Sequence, residues 1–230
     1  MAGLRGFLAS NWQLLLLVLV VFLLWHQPVA MPLRLLVVLF HEASHALAAI
    51  LTGGRVEALT LNAAEGGHAL VAGGNFFVIA SAGYLGSLAI GLVILAVSLR
   101  TGVDRGALAA LGAGILILAA LYVREAFALA FCLAVAAAFL AIARYLPAIW
   151  SDLVLRIIGL TSLFYVPYDI FSDTLARSHL RSDARILAEH YGGATLLWGG
   201  LWLLVSLAAI AYAARLLMGA DTHLWRPKQK

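Results

Sequence analysis

The sequence predicts an all-α polytopic membrane protein, with six or seven transmembrane helices and a short glycine-rich β-hairpin after the second. Composition is the first reason: of 230 residues, 64% are hydrophobic and 11% charged, with a mean hydropathy of +1.01. Soluble domains carry about 25% charged residues. Apolar runs approaching the roughly 20 residues needed to span a hydrocarbon core recur along the chain. Between the second and third of them lies a glycine-punctuated stretch of partly alternating polarity.

The first run, 12–25, has tryptophans at both ends, placed as interface anchors. Arg5 followed by the leucines of 14–24 resembles a signal sequence, but Pro28-Val29-Ala30 is a poor cleavage site, so this helix is expected to be retained. Pro28 and Pro32 mark a short loop before the second helix, about 33–51. Thr52-Gly53-Gly54 and Gly73-Gly74 then bracket a hairpin at about 55–74, turning at Glu65-Gly66-Gly67. Further spans are expected at about 76–99, 107–122, 126–145, 150–171 and 194–217. Arg124-Glu125 is so short a break that 107–145 reads as a tight hairpin or one interrupted helix. No internal repeat is evident, and residues 1–230 are expected to form one integral-membrane domain.

The net charge of +4 comes almost wholly from arginines at helix ends. Without a basic cluster interleaved with aromatics, they suit lipid headgroups and not nucleic acid. They fall on both sides of any alternating topology, so the positive-inside rule selects no orientation, even with the basic tail Arg226–Lys230 included. Arg177, Arg181 and Arg185 recur every four residues, as one basic helical stripe would. Cys132 is the single cysteine, which excludes an intrachain disulfide and a thiolate zinc cluster. The lipid bilayer is the expected surroundings, with the cell membrane the expected location.

Within the second apolar run stands His41-Glu42-Ala43-Ser44-His45. Positions i and i+4 share a helix face, so His41 and His45 can direct imidazole nitrogens at one metal. Zinc lowers the pKa of a bound water to about 7 and polarises a carbonyl. Glu42, one residue from the first ligand, can act as general base on that water and return the proton to a leaving amine. Ionisable groups are costly at membrane depth, so three together mark a functional site, not a pair of satisfied core histidines.

Such a centre needs a third protein ligand and an open position. The later candidates are Asp152, Asp169, Asp173, Asp183, His179, Glu189 and His190. Asp169 follows Pro167-Tyr168 at the end of an apolar run, where an irregular backbone would turn its carboxylate inward; it leads, with Asp173 four residues on as the alternative. An aspartate that only caps a helix end is the plainer reading of either.

Several ordered segments carry a family resemblance. They are residues 40–46 around the two histidines, 51–56, Glu65-Gly66-Gly67, Gly73-Gly74, Ala82-Gly83-Tyr84-Leu85-Gly86-Ser87, 168–174, and Ser182-Asp183-Ala184. The sequence resembles the site-2-protease-like intramembrane zinc metalloproteases, in the compact M50B-like branch of peptidase family M50. The resemblance implies Zn2+ held by His41, His45 and a distal aspartate from the region of about 165–190, with Glu42 as catalytic base. Relatives place that aspartate in a proline-preceded Asp-Gly motif; here Pro167 and Asp169 are kept and Ile170 replaces the glycine. Asp169 is therefore the expected ligand and Asp173 stays open.

The resemblance also implies a membrane-protein or transmembrane-peptide substrate, hydrolysed in or near its spanning segment. The hairpin edge at 55–72 is a candidate for receiving it by strand addition, with a covered plug as the other reading. No individual substrate-binding residue is assigned. An inactive M50-like chaperone or scaffold is the alternative, and an intact Glu42 argues against it. A metal transporter is the third, and the lack of repeated halves argues against that.

Overall fold

The computed structural model describes residues 4–177 and 181–218; His179 and the tail Arg226–Lys230 lie outside them. The chain runs α1 (Leu4–Leu24), a short 3-10 turn (Pro28–Ala30), α2 (Met31–Leu51), β1 (Arg55–Leu61), β2 (Gly67–Ala72) and α3 (Phe76–Arg100). It continues with α4 (Asp104–Tyr122), α5 (Ala126–Tyr145), α6 (Ala148–Phe171), a π-helical turn (Ser172–Ala176), α7 (Asp183–Tyr191) and α8 (Thr195–Met218). Six helical segments among the described residues are long and apolar enough to cross a membrane, and α1 adds a shorter apolar stretch. The protein is a multi-pass integral membrane protein.

Packing follows small residues. Gly91 of α3 and Gly159 of α6 lie against one another's backbones, where a Cβ on Gly159 would sit 2.9 Å from the Gly91 carbonyl oxygen. Gly112 of α4 meets Ala136, Phe139 and Leu140 of α5. That pairing is symmetric about Arg124-Glu125, so α4 and α5 form the tight hairpin and not one interrupted helix. Without a hydrophobic drive between helices in lipid, such close approach supplies the van der Waals packing. A buried ion pair stands on α6, Arg156 to Asp152 at 2.8 Å.

The β-hairpin is antiparallel, with Arg55 opposite Ala72 and Leu61 opposite Gly67, and a bulge near Glu57. Its turn is built by Asn62, whose Oδ1 accepts from the Ala64 and Gly66 amides at 2.9 and 3.2 Å, while Glu65 takes a positive φ of 64°. The tip is tied to the start of α2: Arg34 pairs with both Glu65 carboxylate oxygens, at 2.6 and 2.8 Å, and also donates to the Trp25 carbonyl. The hairpin therefore lies along α2. The outer side of β1 is bridged at Leu59 by Val123, leaving β2 as the outward strand of a two-stranded sheet.

The last part of the chain departs from the sequence reading. Helix α6 ends at Phe171 as expected, but its backbone stays helical through Pro167 and Asp169 and closes in the π turn, so the irregularity expected at Asp169 is absent. The basic stripe expected through Arg177, Arg181 and Arg185 is not one helix, because Arg177 ends that turn and α7 starts only at Asp183. Helix α7 has its own N-cap: Ser182 Oγ accepts from the Arg185 amide at 3.4 Å.

Candidate metal centre

Helix α2 carries His41 and His45 on successive turns of one face, ring centroids 4.7 Å apart. His45 is oriented by its second nitrogen: Nδ1 donates to the Ile79 carbonyl of α3 at 2.6 Å, leaving the Nε2 lone pair free to coordinate. Glycine at position 83 lets α3 come this near. A Cβ there would lie 2.5 Å from His45 Nε2 and would also strike His41 Nε2.

The third group is Asp183. Its Oδ2 lies 3.0 Å from His41 Nε2 and 3.2 Å from His45 Nε2. Helix α7 delivers it from its first turn, its far end anchored by aromatic contacts: His190 packs tilted on Phe76 at 4.5 Å and Tyr191 meets Phe77 edge-on at 5.9 Å. Tyr84, beside His41, is eight residues beyond Phe76, about 12 Å along α3. Nine-residue α7 therefore runs beside the first turns of a spanning helix, from the metal level outward. Burial alone would push the Asp183 carboxyl up, but the imidazoles of His45 and His41 overcome it and hold it well below the usual carboxylate range.

Among the described residues, His41, His45 and Asp183 are the metal-capable group, their ligand atoms all within 4.8 Å of one another. Ligands of a tetrahedral zinc at about 2.0–2.1 Å sit roughly 3.3 Å apart. The 3.0 and 3.2 Å spacings match that, and two imidazoles with one carboxylate leave a fourth position open. The donor set fits zinc.

Asp169, the aspartate expected from sequence, does not join this group: it lies 3.7 Å from Arg177. Asp173 accepts from the Tyr84 hydroxyl and from Arg177 at 2.7 Å. The unbroken α6 carries both carboxylates to its end, near the centre, where each pairs with Arg177 and not with the histidines. The other described candidates are engaged elsewhere, Asp152 with Arg156, Glu189 with Arg185 at 2.9 Å and His190 with Phe76. What the sequence did offer was Ser182, a capping residue directly before an amphipathic stretch, which marks a helix N-terminus at Asp183.

Glu42 is buried, and it faces the hairpin. A Cβ on Gly67 would come within 2.8 Å of Glu42 Cγ and Oε1, so β2 begins directly over the carboxylate. The site thus has histidines facing α3 and α7, and its acid facing a strand.

A family model described as Peptidase M50B-like matches residues 14–213. No curated protein and no solved structure matches the chain.

Proposed function

We propose, for a chain that belongs to the M50B-like peptidase family, that His41, His45 and Asp183 hold the zinc and Glu42 is the catalytic base. The protein is a zinc-dependent intramembrane peptidase, and the observation that carries the assignment is the His–His–Asp cluster inside a bundle of membrane-spanning helices. Bound zinc would supply Lewis acidity to the scissile carbonyl and acidify a water. Glu42 takes the proton of the attacking water and passes it to the departing amine. Asp183 contributes negative charge and, with the Ile79 carbonyl behind His45, fixes the donor set.

Membrane-embedded substrates are implied by the family. Their peptide bonds must leave helical geometry, because helix carbonyls are already hydrogen-bonded within the segment. The outer edge of β2 is suited to take the unwound strand by β-addition, since β1 is bridged by Val123 and Gly67 lies over Glu42.

The test compares wild type with Glu42→Gln, purified in detergent, for zinc content and for cleavage of a model transmembrane substrate. The expected result is equal zinc and a loss of at least about 10²-fold in cleavage for the variant. Equal zinc with no cleavage by wild type of any of several substrates would favour a scaffold.

A further inference from the structure

Two groups beside the metal centre have no part in the ligand set or the proton transfer: the Tyr84 side chain of α3 and the Asp173 carboxylate of the π turn. The Tyr84 hydroxyl donates to Asp173 Oδ2. Asp173 Oδ1 accepts from Arg177 at 2.7 Å, and Arg177 Nε donates to Ser172 Oγ at 3.0 Å, so the turn is tied to itself as well as to α3. Tyr84 is buried at 3% exposure. Its ring meets His41 edge-on, centroids 4.7 Å apart at 84°, and is backed by Trp202 at 5.3 Å. One side chain therefore touches a ligand imidazole with its ring and the end of α6 with its hydroxyl.

A buried tyrosine hydroxyl seeks a partner, and leaving it or the carboxylate unpaired is costly. The bond therefore ties the end of α6 to α3 beside His41. The π turn also packs against α7, whose first residue is Asp183, so the place where the turn is pinned bears on how the third ligand is held. Single π-helical turns of this kind occur frequently at functional sites.

We propose that Tyr84 is a positioning residue of the metal centre, holding the His41 ring directly and the approach of Asp183 through Asp173. This rests on the ligand set given under Proposed function. Groups that orient ligands typically change metal affinity 10- to 100-fold when removed.

The experiment uses the full chain in detergent, as Tyr84→Phe, Asp173→Ala, the double variant, and Tyr165→Phe as a second buried tyrosine, one that packs on Trp25 and bonds neither Asp173 nor a ligand imidazole. Two quantities are read: zinc affinity by chelator competition, and the visible absorption of the cobalt-substituted protein. Each single variant at the pair should bind zinc about 10- to 100-fold more weakly and shift the cobalt bands. The double should be no weaker than Asp173→Ala alone, which already removes the Tyr84 bond together with the Arg177 pair, and Tyr165→Phe should leave both readings unchanged. Wild-type affinity and spectrum in Tyr84→Phe would overturn the proposal, as would additive losses or an equal loss in Tyr165→Phe. If Tyr84→Phe fails to fold, Asp173→Ala carries the test: an unchanged spectrum overturns it. A wild type that takes up neither zinc nor cobalt overturns the ligand set itself, and is distinct from all of these.

Discussion

Asp183 Oδ2 lies 3.0 Å from His41 Nε2, although 142 residues separate the two in the chain. The contact joins the middle of a spanning helix to the first turn of a nine-residue helix beside it. A metal centre assembled in this way depends on how closely α3 approaches α2, how the hairpin covers Glu42, and how α7 is held. Each dependence gives a measurable outcome.

Gly83→Ala should destroy the centre without unfolding the bundle. The added methyl meets both ligand imidazoles, and overpacking of this kind typically costs about 1–3 kcal/mol. Zinc content should fall well below wild type while the helical circular dichroism persists. A fully zinc-loaded Gly83→Ala protein would refute the close approach.

Gly67→Ala should separate the base from the metal. Its methyl presses on Glu42 and not on a histidine, so zinc should be retained while kcat falls by about 10²-fold or more, the usual contribution of a positioned base. Loss of zinc together with activity would place Gly67 elsewhere than over the carboxylate.

Arg34→Ala should loosen the hairpin. The bidentate pair to Glu65 is mostly shielded from water and is the hairpin tip's tie to α2. Amide exchange across 55–72 should quicken at least tenfold, equivalent to about 1.4 kcal/mol of local stability. Unchanged exchange would show that the tip is held by packing alone.

Asp152→Ala should destabilise the bundle far from the metal. Its removal leaves Arg156, only 1% exposed, without its i−4 carboxylate. Breaking a buried pair from one side costs about 3–5 kcal/mol. Thermal unfolding in detergent should drop clearly while the zinc content of the folded fraction stays at the wild-type level.

Helix α7 carries an Arg185–Glu189 pair outward while Ala184 and Leu187 are buried. Charged groups beside the first turns of a spanning helix are stable only where they meet water. Cysteines placed at 185 and 189 should react with a membrane-impermeant maleimide, whereas the buried native Cys132 should not. Failure of both sites to react would put that face against lipid or protein.

Most of the fold could be read from the chain, because lipid demands long apolar runs and loops must carry polar or glycine residues. The spans expected at 76–99 and 126–145 correspond to α3 and α5 within a residue, and the Gly53-Gly54 and Gly73-Gly74 pairs bracket the hairpin. The motif helix was equally plain, since i, i+4 spacing is a local property. The third ligand was not, because it depends on tertiary return of the chain. Pro167 and the end of the apolar run point to Asp169, but the return of the chain that brings Asp183 to the histidines is not a local signal. Asp183 stands among the candidates, but the basic stripe through Arg177, Arg181 and Arg185 reads as one helix across it, and only the Ser182 cap marks a helix start at Asp183. In sequence Gly67 reads as a turn residue and Gly83 carries no sign of a ligand neighbour; their place against Glu42 and the histidines is visible only once α3 and the hairpin are docked.

Zinc stoichiometry in Asp183→Ala and Asp169→Ala, purified side by side in detergent, tests the assembled centre most directly. Asp183→Ala should lose its zinc and Asp169→Ala should keep close to one per chain. Zinc retained in Asp183→Ala and lost in Asp169→Ala would contradict the centre described above.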